Sequence, residues 1–375
     1  MSSMSRDTPV LWIWGPLGTG KTTVAWRIWS ELTAAGITAG YVDIDQVGMS
    51  VPRPAQDPEH YQLKVDNLAA VVRNCQAAGA RLVVISGTCD VERTRRFADN
   101  APVTLCRLAL EHGQIRARLA ERGWAPEDVQ AQLPEAVELD ASTIADVSLD
   151  TTGLTVTEVV DSLREQLGGW PLGQPAATTT AGASAAPGEI LWLCGPTGVG
   201  KSTIGWEVFT RAWRNGRQVA YVDLQQVGFL APQSAADPGN HRLRAANLAA
   251  IWSAMQVRGA RSLVLVGAVG DGDQVRGYTE ALPGATFTLV RLDAGRDRLA
   301  ERIALRGDGQ EPQLPGDLLR GRDTTELARV TGQAVADAER LARAGFGDLV
   351  LDTDRLTPGE AADALLQRIG DWPRP

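Results

Sequence analysis

Two segments carry residue types, at a spacing, suited to holding a phosphate. Gly15-Pro16-Leu17-Gly18-Thr19-Gly20-Lys21-Thr22 fits the pattern G-x-x-x-x-G-K-[ST], and so does Gly195-Pro196-Thr197-Gly198-Val199-Gly200-Lys201-Ser202. Glycines let such a loop wrap an anion with its backbone N–H groups turned inward. The lysine then reaches the terminal phosphates of a nucleotide, and the next hydroxyl holds Mg2+. Expected nucleotide contacts in the first loop are Gly15, Gly18, Thr19, Gly20, Lys21, Thr22 and Thr23. In the second they are Gly195, Gly198, Val199, Gly200, Lys201, Ser202 and Thr203. ATP and Mg2+ are the expected cofactors, with Thr22 and Ser202 as metal ligands. The chain has only three lysines, Lys21, Lys64 and Lys201, against 34 arginines. Two of the three sit in these loops, where a compact ammonium suits the geometry better than a planar guanidinium.

The loops need a strand before them and a helix after them. Apolar runs Val10–Trp14 and Ile190–Cys194 supply the strands, and amphipathic patterns follow. In the first half, strands are expected at 10–14, 37–43, 82–87, 103–108 and 146–150. Helices are expected at 21–34, 58–78, 91–98, 111–122 and 156–166. The second half repeats this order at an offset of 180 residues. Tyr41–Gly48 corresponds to Tyr221–Gly228, Asp57-Pro58 to Asp237-Pro238, Asn67–Ala70 to Asn247–Ala250, and Arg116–Arg122 to Arg296–Arg302. The expected fold is therefore α/β: two copies of a P-loop, nucleoside-kinase-like, three-layer α/β/α domain with mainly parallel sheets. The first copy spans 9–169 and the second 189–372. The small, uncharged stretch 170–188 between them reads as a flexible linker. Ligands in such sheets bind at the carboxyl ends of the strands.

Asp43 and Asp45 stand at that edge after the second strand. A carboxylate there either accepts a proton from an attacking hydroxyl or organises Mg2+ through water, against the competing reading of a loop carboxylate that caps the next turn. The second copy keeps Asp223 but has Gln225 where the first has Asp45. Residues 48–67 are the expected acceptor segment, with Asp45, Arg53, Lys64, Asn67 and the turn residue Gly87 as substrate contacts. For Lys64 a solvated helix face is the competing reading. Arg118 and Arg122 are four apart on one helix, and Arg298, Arg302 and Arg306 continue the spacing in the second copy. They are read as lid arginines over the phosphates, against a competing reading of helix-surface pairing with Glu121 or Glu301. Lys21, Asp43, Arg118, Arg122, Lys201, Asp223, Arg298 and Arg302 form the expected catalytic set. Between the lid and the closing strand the second copy is 22 residues longer, and Thr324–Ala344 there reads as a helix. The first copy thus has the fuller carboxylate pair and the second the fuller lid. Trp12, Trp14, Trp26, Trp192 and Trp206 are read as core, and Trp124 as a substrate stacker.

A net charge of −8 speaks against a dedicated nucleic-acid binder. Four cysteines without a C-x-x-C pair and only three histidines give neither a disulfide framework nor a His-rich metal site. No 18-residue apolar stretch and no N-terminal signal core are present. The expectation is a cytoplasmic protein with buried, reduced cysteines and a small-molecule acceptor. Membrane and nucleic acid are not expected partners, and a homo-oligomer is left open.

With these loops, the Val42-Asp43-Ile44-Asp45 turn, the Arg118/Arg122 helix and the closing Asp150-Thr151 and Asp352-Thr353 pairs, nearly all of both copies resembles small P-loop kinases. The nearest group contains adenylylsulfate kinase, gluconate kinase and chloramphenicol phosphotransferase. The resemblance implies that Asp43 lies by the acceptor hydroxyl and that Arg118 and Arg122 belong to a lid. Adenylylsulfate kinases carry Asp-Gly-Asp at the turn and an arginine pair on the following helix. Ile44 and Leu68-Ala69 stand there instead, which speaks against that acceptor. No Leu-Ser-Gly-Gly-Gln signature, no apolar strand ending in Asp-Glu and no Asn-Lys-x-Asp motif occurs, so transporter ATPases, AAA+ motors and regulatory GTPases fit worse. The expected function is a Mg-dependent transfer of the ATP γ-phosphate to a hydroxyl of a small molecule. One rival is an ATP-binding or ATP-hydrolysing switch or scaffold with one regulatory half. Another is a nucleoside monophosphate kinase, for which 48–67 offers only one Arg and one Lys.

Overall fold

The computed structural model describes residues 8–174, 187–309, 314–317, 319–370, 372 and 373. In chain order the strands are β1 (Val10–Trp14), β2 (Ala39–Asp43), β3 (Leu82–Ser86), β4 (Val103–Ala109), β5 (Val147–Asp150), β6 (Gly188–Cys194), β7 (Val219–Asp223), β8 (Phe229–Ala231), β9 (Ser262–Val266), β10 (Ala285–Asp293) and β11 (Leu349–Asp352). The helices are α1 (Lys21–Ala34), α2 (Tyr61–Ala77), α3 (Val91–Ala98), α4 (His112–Glu121), α5 (Pro126–Ala141), α6 (Val156–Gln166), α7 (Lys201–Arg214), α8 (His241–Val257), α9 (Gly272–Ala281), α10 (Arg296–Gly307), α11 (Thr324–Arg343) and α12 (Pro358–Ile369).

These residues form two compact units, and neither is continuous in sequence. The first comprises residues 8–48, 56–174 and 228–243; the second comprises 49–55, 187–227 and the described residues from 244 onward. Simple spans of 9–169 and 189–372 therefore miss two short segments, 49–55 and 228–243, each of which belongs to the unit of the other half. Of the expected linker, residues 175–186 lie outside the described residues. The part before them is docked: Trp170 packs on the first core, and Gly173 exchanges hydrogen bonds with Arg81 at 2.8 and 3.1 Å.

The first sheet runs β5-β4-β1-β3-β2-β8. Its strands are parallel except β8, which pairs antiparallel with β2 and sets Phe229 opposite Tyr41. The second sheet runs β11-β10-β6-β9-β7, all parallel. Its β7 edge is met by residues 49–51: Tyr221 N–H donates to Met49 O at 2.9 Å, and Val51 N–H to Val219 O at 3.0 Å. The central strands are buried on both faces, which is why VLWIW and LVVIS are unbroken apolar runs. Val24, Ala25, Ile28 and Leu32 give α1 the apolar stripe that covers the sheet. Capping boxes at Thr155/Glu158 and Thr357/Glu360 open α6 and α12.

Two expectations on elements need correction. The first unit has its own second lid helix, α5. Pro126 sits at its start, where no N–H is needed, and Pro134 is tolerated inside it. Val129, Ala136 and the α4 residues Ile115 and Leu119 share a small core that holds it. Tryptophans also divide. Trp12, Trp14 and Trp192 are fully buried, but Trp26 is half-buried and Trp206 is 47% exposed. Trp26 lies among Trp29, Tyr41 and Phe229, with ring centroids at 4.5, 5.1 and 5.0 Å. Trp206 meets Phe209 and Tyr221 on its inner side and leaves the other side to solvent. Among the described residues no helix is long and apolar enough to cross a membrane.

Candidate active site

Both phosphate loops turn from a buried strand into a helix N-terminus. Gly15 and Gly195 each take φ 138°, and a Cβ there would lie 2.3 Å from Leu108 O or 2.5 Å from Leu292 O. Only glycine passes that close to the neighbouring strand. Helix α1 begins at Lys21 and α7 at Lys201, so their free N–H groups and dipoles face the loop. Lys21 Nζ donates to Pro16 O at 2.7 Å; Lys201 Nζ donates to Pro196 O at 2.8 Å and Gly195 O at 3.1 Å. Burial pushes both ammonium groups down to about 8.

Asp43 is buried at the end of β2. Its Oδ2 accepts from Thr22 Oγ1 at 3.0 Å and from Ser86 Oγ at 2.8 Å, and its Oδ1 accepts from the Asp45 N–H at 3.0 Å. It therefore caps the next turn and also touches the phosphate loop, so the two readings of this residue are compatible. Parallel pairing sets Asp43 beside Ser86, and Tyr41 Oη lies 2.8 Å from the same Ser86 hydroxyl. Burial and the neighbouring Asp45 charge push the Asp43 carboxyl up to about 6, while the three hydrogen bonds pull it down. The Thr22 hydroxyl and Asp43 carboxylate form an all-oxygen pair at a helix N-terminus. That donor chemistry fits a Mg2+ ion, which prefers oxygen and keeps several waters.

Around this pair, Lys64 Nζ donates to Asp45 Oδ1 at 2.8 Å and lies 5.3 Å from the Tyr61 ring centroid. Tyr61 Oη donates to Glu135 Oε1 at 2.6 Å, joining α2 to α5. Glu135 and Arg122 both act electrostatically on Lys21, so α5 and the end of α4 stand over the loop. Arg118 Nη1 donates to Gly18 O at 3.2 Å. Tyr61 falls within the expected acceptor segment, whereas Ser86 and Glu135 were not expected. The end of the run Val83-Val84-Ile85-Ser86, where the second half has Val266, was the available signal for Ser86.

Several expected substrate contacts serve the scaffold instead. Asn67 is fully buried and donates to Val47 O at 2.6 Å, fixing the turn after Asp43. Gly87 takes φ 120°, and a Cβ on it would lie 2.3 Å from Ile44 Cγ2. It is a packing position, and its carbonyl accepts from Trp12 Nε1 at 3.0 Å. Arg53 is exposed and belongs to the segment 49–55 of the second unit, not to the unit that holds Asp43. Trp124, 39% exposed, follows the α4 C-terminus.

In the second unit Asp223 Oδ2 accepts from Ser202 Oγ at 2.9 Å, and Oδ1 from the Gln225 N–H at 2.9 Å. Burial raises its carboxyl, and the Lys201 and Arg244 charges oppose that. Arg302 donates to Val199 O at 3.0 Å and to Thr353 at 2.9 and 3.0 Å, tying α10 to the phosphate loop and the closing turn. Arg298 points elsewhere: it pairs with Glu301 at 2.6 Å, the surface reading. Arg306 acts electrostatically on Lys201. The four cysteines are free and buried.

A phosphate loop on a parallel sheet, a buried carboxylate beside its hydroxyl and arginines from the following helix define the first unit as a P-loop kinase-like α/β domain. Residues 10–142 match a family model described as an AAA domain, AAA_33. The tunicamycin resistance protein of Deinococcus radiodurans is 21% identical, over 49% of this chain and 96% of that one, with TM-score 0.34. A gluconokinase of Sinorhizobium meliloti is 18% identical, over 44% and 94%, with TM-score 0.32. An APS kinase of Mycobacterium tuberculosis, solved with AMPPNP and APS, is 20% identical, over 49% and 98%, with TM-score 0.31. No curated protein matches the chain.

Proposed function

We propose that this protein is a tandem ATP-dependent phosphotransferase, with a duplicated kinase-like domain, that moves the γ-phosphate to a hydroxyl of a small molecule. The observation that carries the reading is the Asp43 site. A buried carboxylate pushed up to about 6 lies 3.0 Å from the hydroxyl that follows the loop lysine. A group with that pKa is an ionised proton acceptor at neutral pH, yet not so acidic that it cannot take a proton. Thr22 would hold Mg2+ directly and Asp43 through water; bound there, the ion neutralises charge on the transferring phosphate. Lys21 and the N-terminus of α1 would hold the nucleotide phosphates. Arg118 and Arg122 would close over them from α4, as Arg302 and Arg306 would from α10. Asp45, Lys64, Tyr61 and Glu135 would line the acceptor side of the first unit with hydrogen-bonding groups of both charges, which suits a polyhydroxylated acceptor better than a second phosphate. The cytoplasm, with its ATP and reduced thiols, is the proposed compartment.

The test is ADP release from Mg·ATP with and without a pool of small metabolites, followed by identification of the product. A phosphorylated metabolite whose formation is lost in Lys21→Ala supports the reading. Slow hydrolysis to ADP and phosphate alone, unchanged by any acceptor, sinks it.

A further inference from the structure

The turn after β7 differs from the turn after β2 in a way the fold makes legible. Asp45 is held by Lys64 at 2.8 Å; its counterpart Gln225 faces the chain itself. Gln225 Nε2 donates to Gly316 O at 3.1 Å, and the buried Gln226 donates its Nε2 to Pro315 O at 2.9 Å. Both carbonyls belong to residues 314–317, between α10 and α11. In the same stretch Asp317, 8% exposed at its side chain, pairs with Arg306 at 3.2 Å, and Leu319 is buried in the core of the second unit. Three attachments from residues 314–317, with Leu319 anchored just beyond them, seat this strap beside the turn that Asp223 caps.

The residue type follows from the contact. An amide donates to a carbonyl, whereas a carboxylate at position 225 would set oxygen against oxygen. A strap whose carbonyls are consumed by this turn, two residues past Asp223, lies against the counterpart of the Asp45-Gln46 turn that leads into the expected acceptor segment of the first half. On the nucleotide side the strap reaches Arg306 through Asp317, while Lys201 remains in its loop and Ser202 keeps its 2.9 Å bond to Asp223.

We propose that the second unit is a nucleotide-only half: it takes a magnesium nucleoside triphosphate, while its own strap 314–317, held by Gln225 and Gln226, fills the acceptor side and prevents transfer to a free acceptor. The part concerning transfer rests on the phosphotransferase reading above; the strap does not.

Hydrogen exchange on the full chain tests the strap without any substrate. Amides of the strap should be protected in the wild type and exchange about tenfold faster in Gln225→Asp, with a smaller gain in Gln225→Ala. Peptides over β7 and the second phosphate loop should stay unchanged, which shows that the variant is folded. A strap that exchanges freely in the wild type, or equally in all three proteins, overturns the proposal. Lys21→Ala then isolates the second unit in the intact chain. It should still bind a fluorescent ATP analogue with Mg2+ and show no acceptor-driven ADP release. Acceptor-driven release retained in Lys21→Ala, or loss of all nucleotide binding, overturns it as well. If no acceptor stimulates even the wild type, the phosphotransferase reading fails, while exchange and nucleotide binding still decide the strap.

Discussion

The two units place the same few groups around a phosphate loop and then treat the far side of the carboxylate differently. In the first, Asp43 is backed by Ser86 and Tyr41 and flanked by Asp45, whose charge helps hold its carboxyl near 6. In the second, Val266 replaces Ser86, Gln225 replaces Asp45, and cations at Lys201 and Arg244 face Asp223. A polar, charge-bearing rim remains around the first carboxylate, whereas the turn beside the second is tied to a strap. What differs is less the nucleotide apparatus than what stands on the other side of it. The two sites thus part company through one amide and the short strap, 314–317, that it holds.

Breaking this contrast should give its largest effect at the loop lysines. Lys21→Ala is expected to lower acceptor-driven ADP release by about a thousandfold or more, and Lys201→Ala by only a few-fold, measured under saturating acceptor. Equal losses would mean that both units transfer phosphate. Asp43→Asn should lower turnover by roughly a hundred- to ten-thousandfold with ATP affinity kept, and Asp223→Asn should leave turnover nearly intact. Titration calorimetry beside the rate assay separates binding from turnover.

The comparison sharpens further in stability. Truncating Phe229 to Ala opens a gap among Trp26, Trp29 and Tyr41 and should cost about 3 kcal/mol, whereas Met49→Ala in the second unit, where fewer rings meet, should cost about 1–2 kcal/mol. Chemical denaturation gives both values. The pH dependence is smaller and its sign is fixed. The folded Asp43 carboxyl lies above its ordinary 3.8, so the folded state binds the extra proton. Ionising it costs stability above about pH 6, and the penalty fades as pH falls from 6 towards 4. Asp43→Asn should therefore raise the melting temperature at pH 7 and flatten that dependence. In the wild type the rate should rise through about pH 6. Ser86→Ala, which removes a bond that lowers the pKa, should move the inflection upward.

Much of this architecture is legible in the residues. VLWIW followed by a glycine loop gives β1, the loop and the start of α1 because local chemistry decides each. Asp43 is legible because strand alternation and the sheet edge place it. The missing parts share a cause: their partners are far away in sequence. α5 carries two prolines that look like breakers until its packing on α4 is known. Asn67 and Gly87 look like ligand contacts because a buried amide and a packing glycine have the same letters as functional ones. Arg298 aligns with Arg118, yet Arg302 and Arg306 face the loop, since equal spacing does not fix which turn of a helix meets its neighbour. No local pattern marks Phe229-Leu230-Ala231 as a strand for β2, 186 residues from Asp43.

That last pairing also sets a timetable. A ribosome adds about 5–20 residues per second. The edge of β2, with Trp26, Trp29 and Tyr41 beside it, must wait on the order of ten to forty seconds for Phe229 to emerge. Residues 49–55 wait a similar time for β7. The first half is thus born unfinished and its apolar edge needs guarding during synthesis. A gene cut at residues 170–188 would yield two fragments that each lack a piece held by the other.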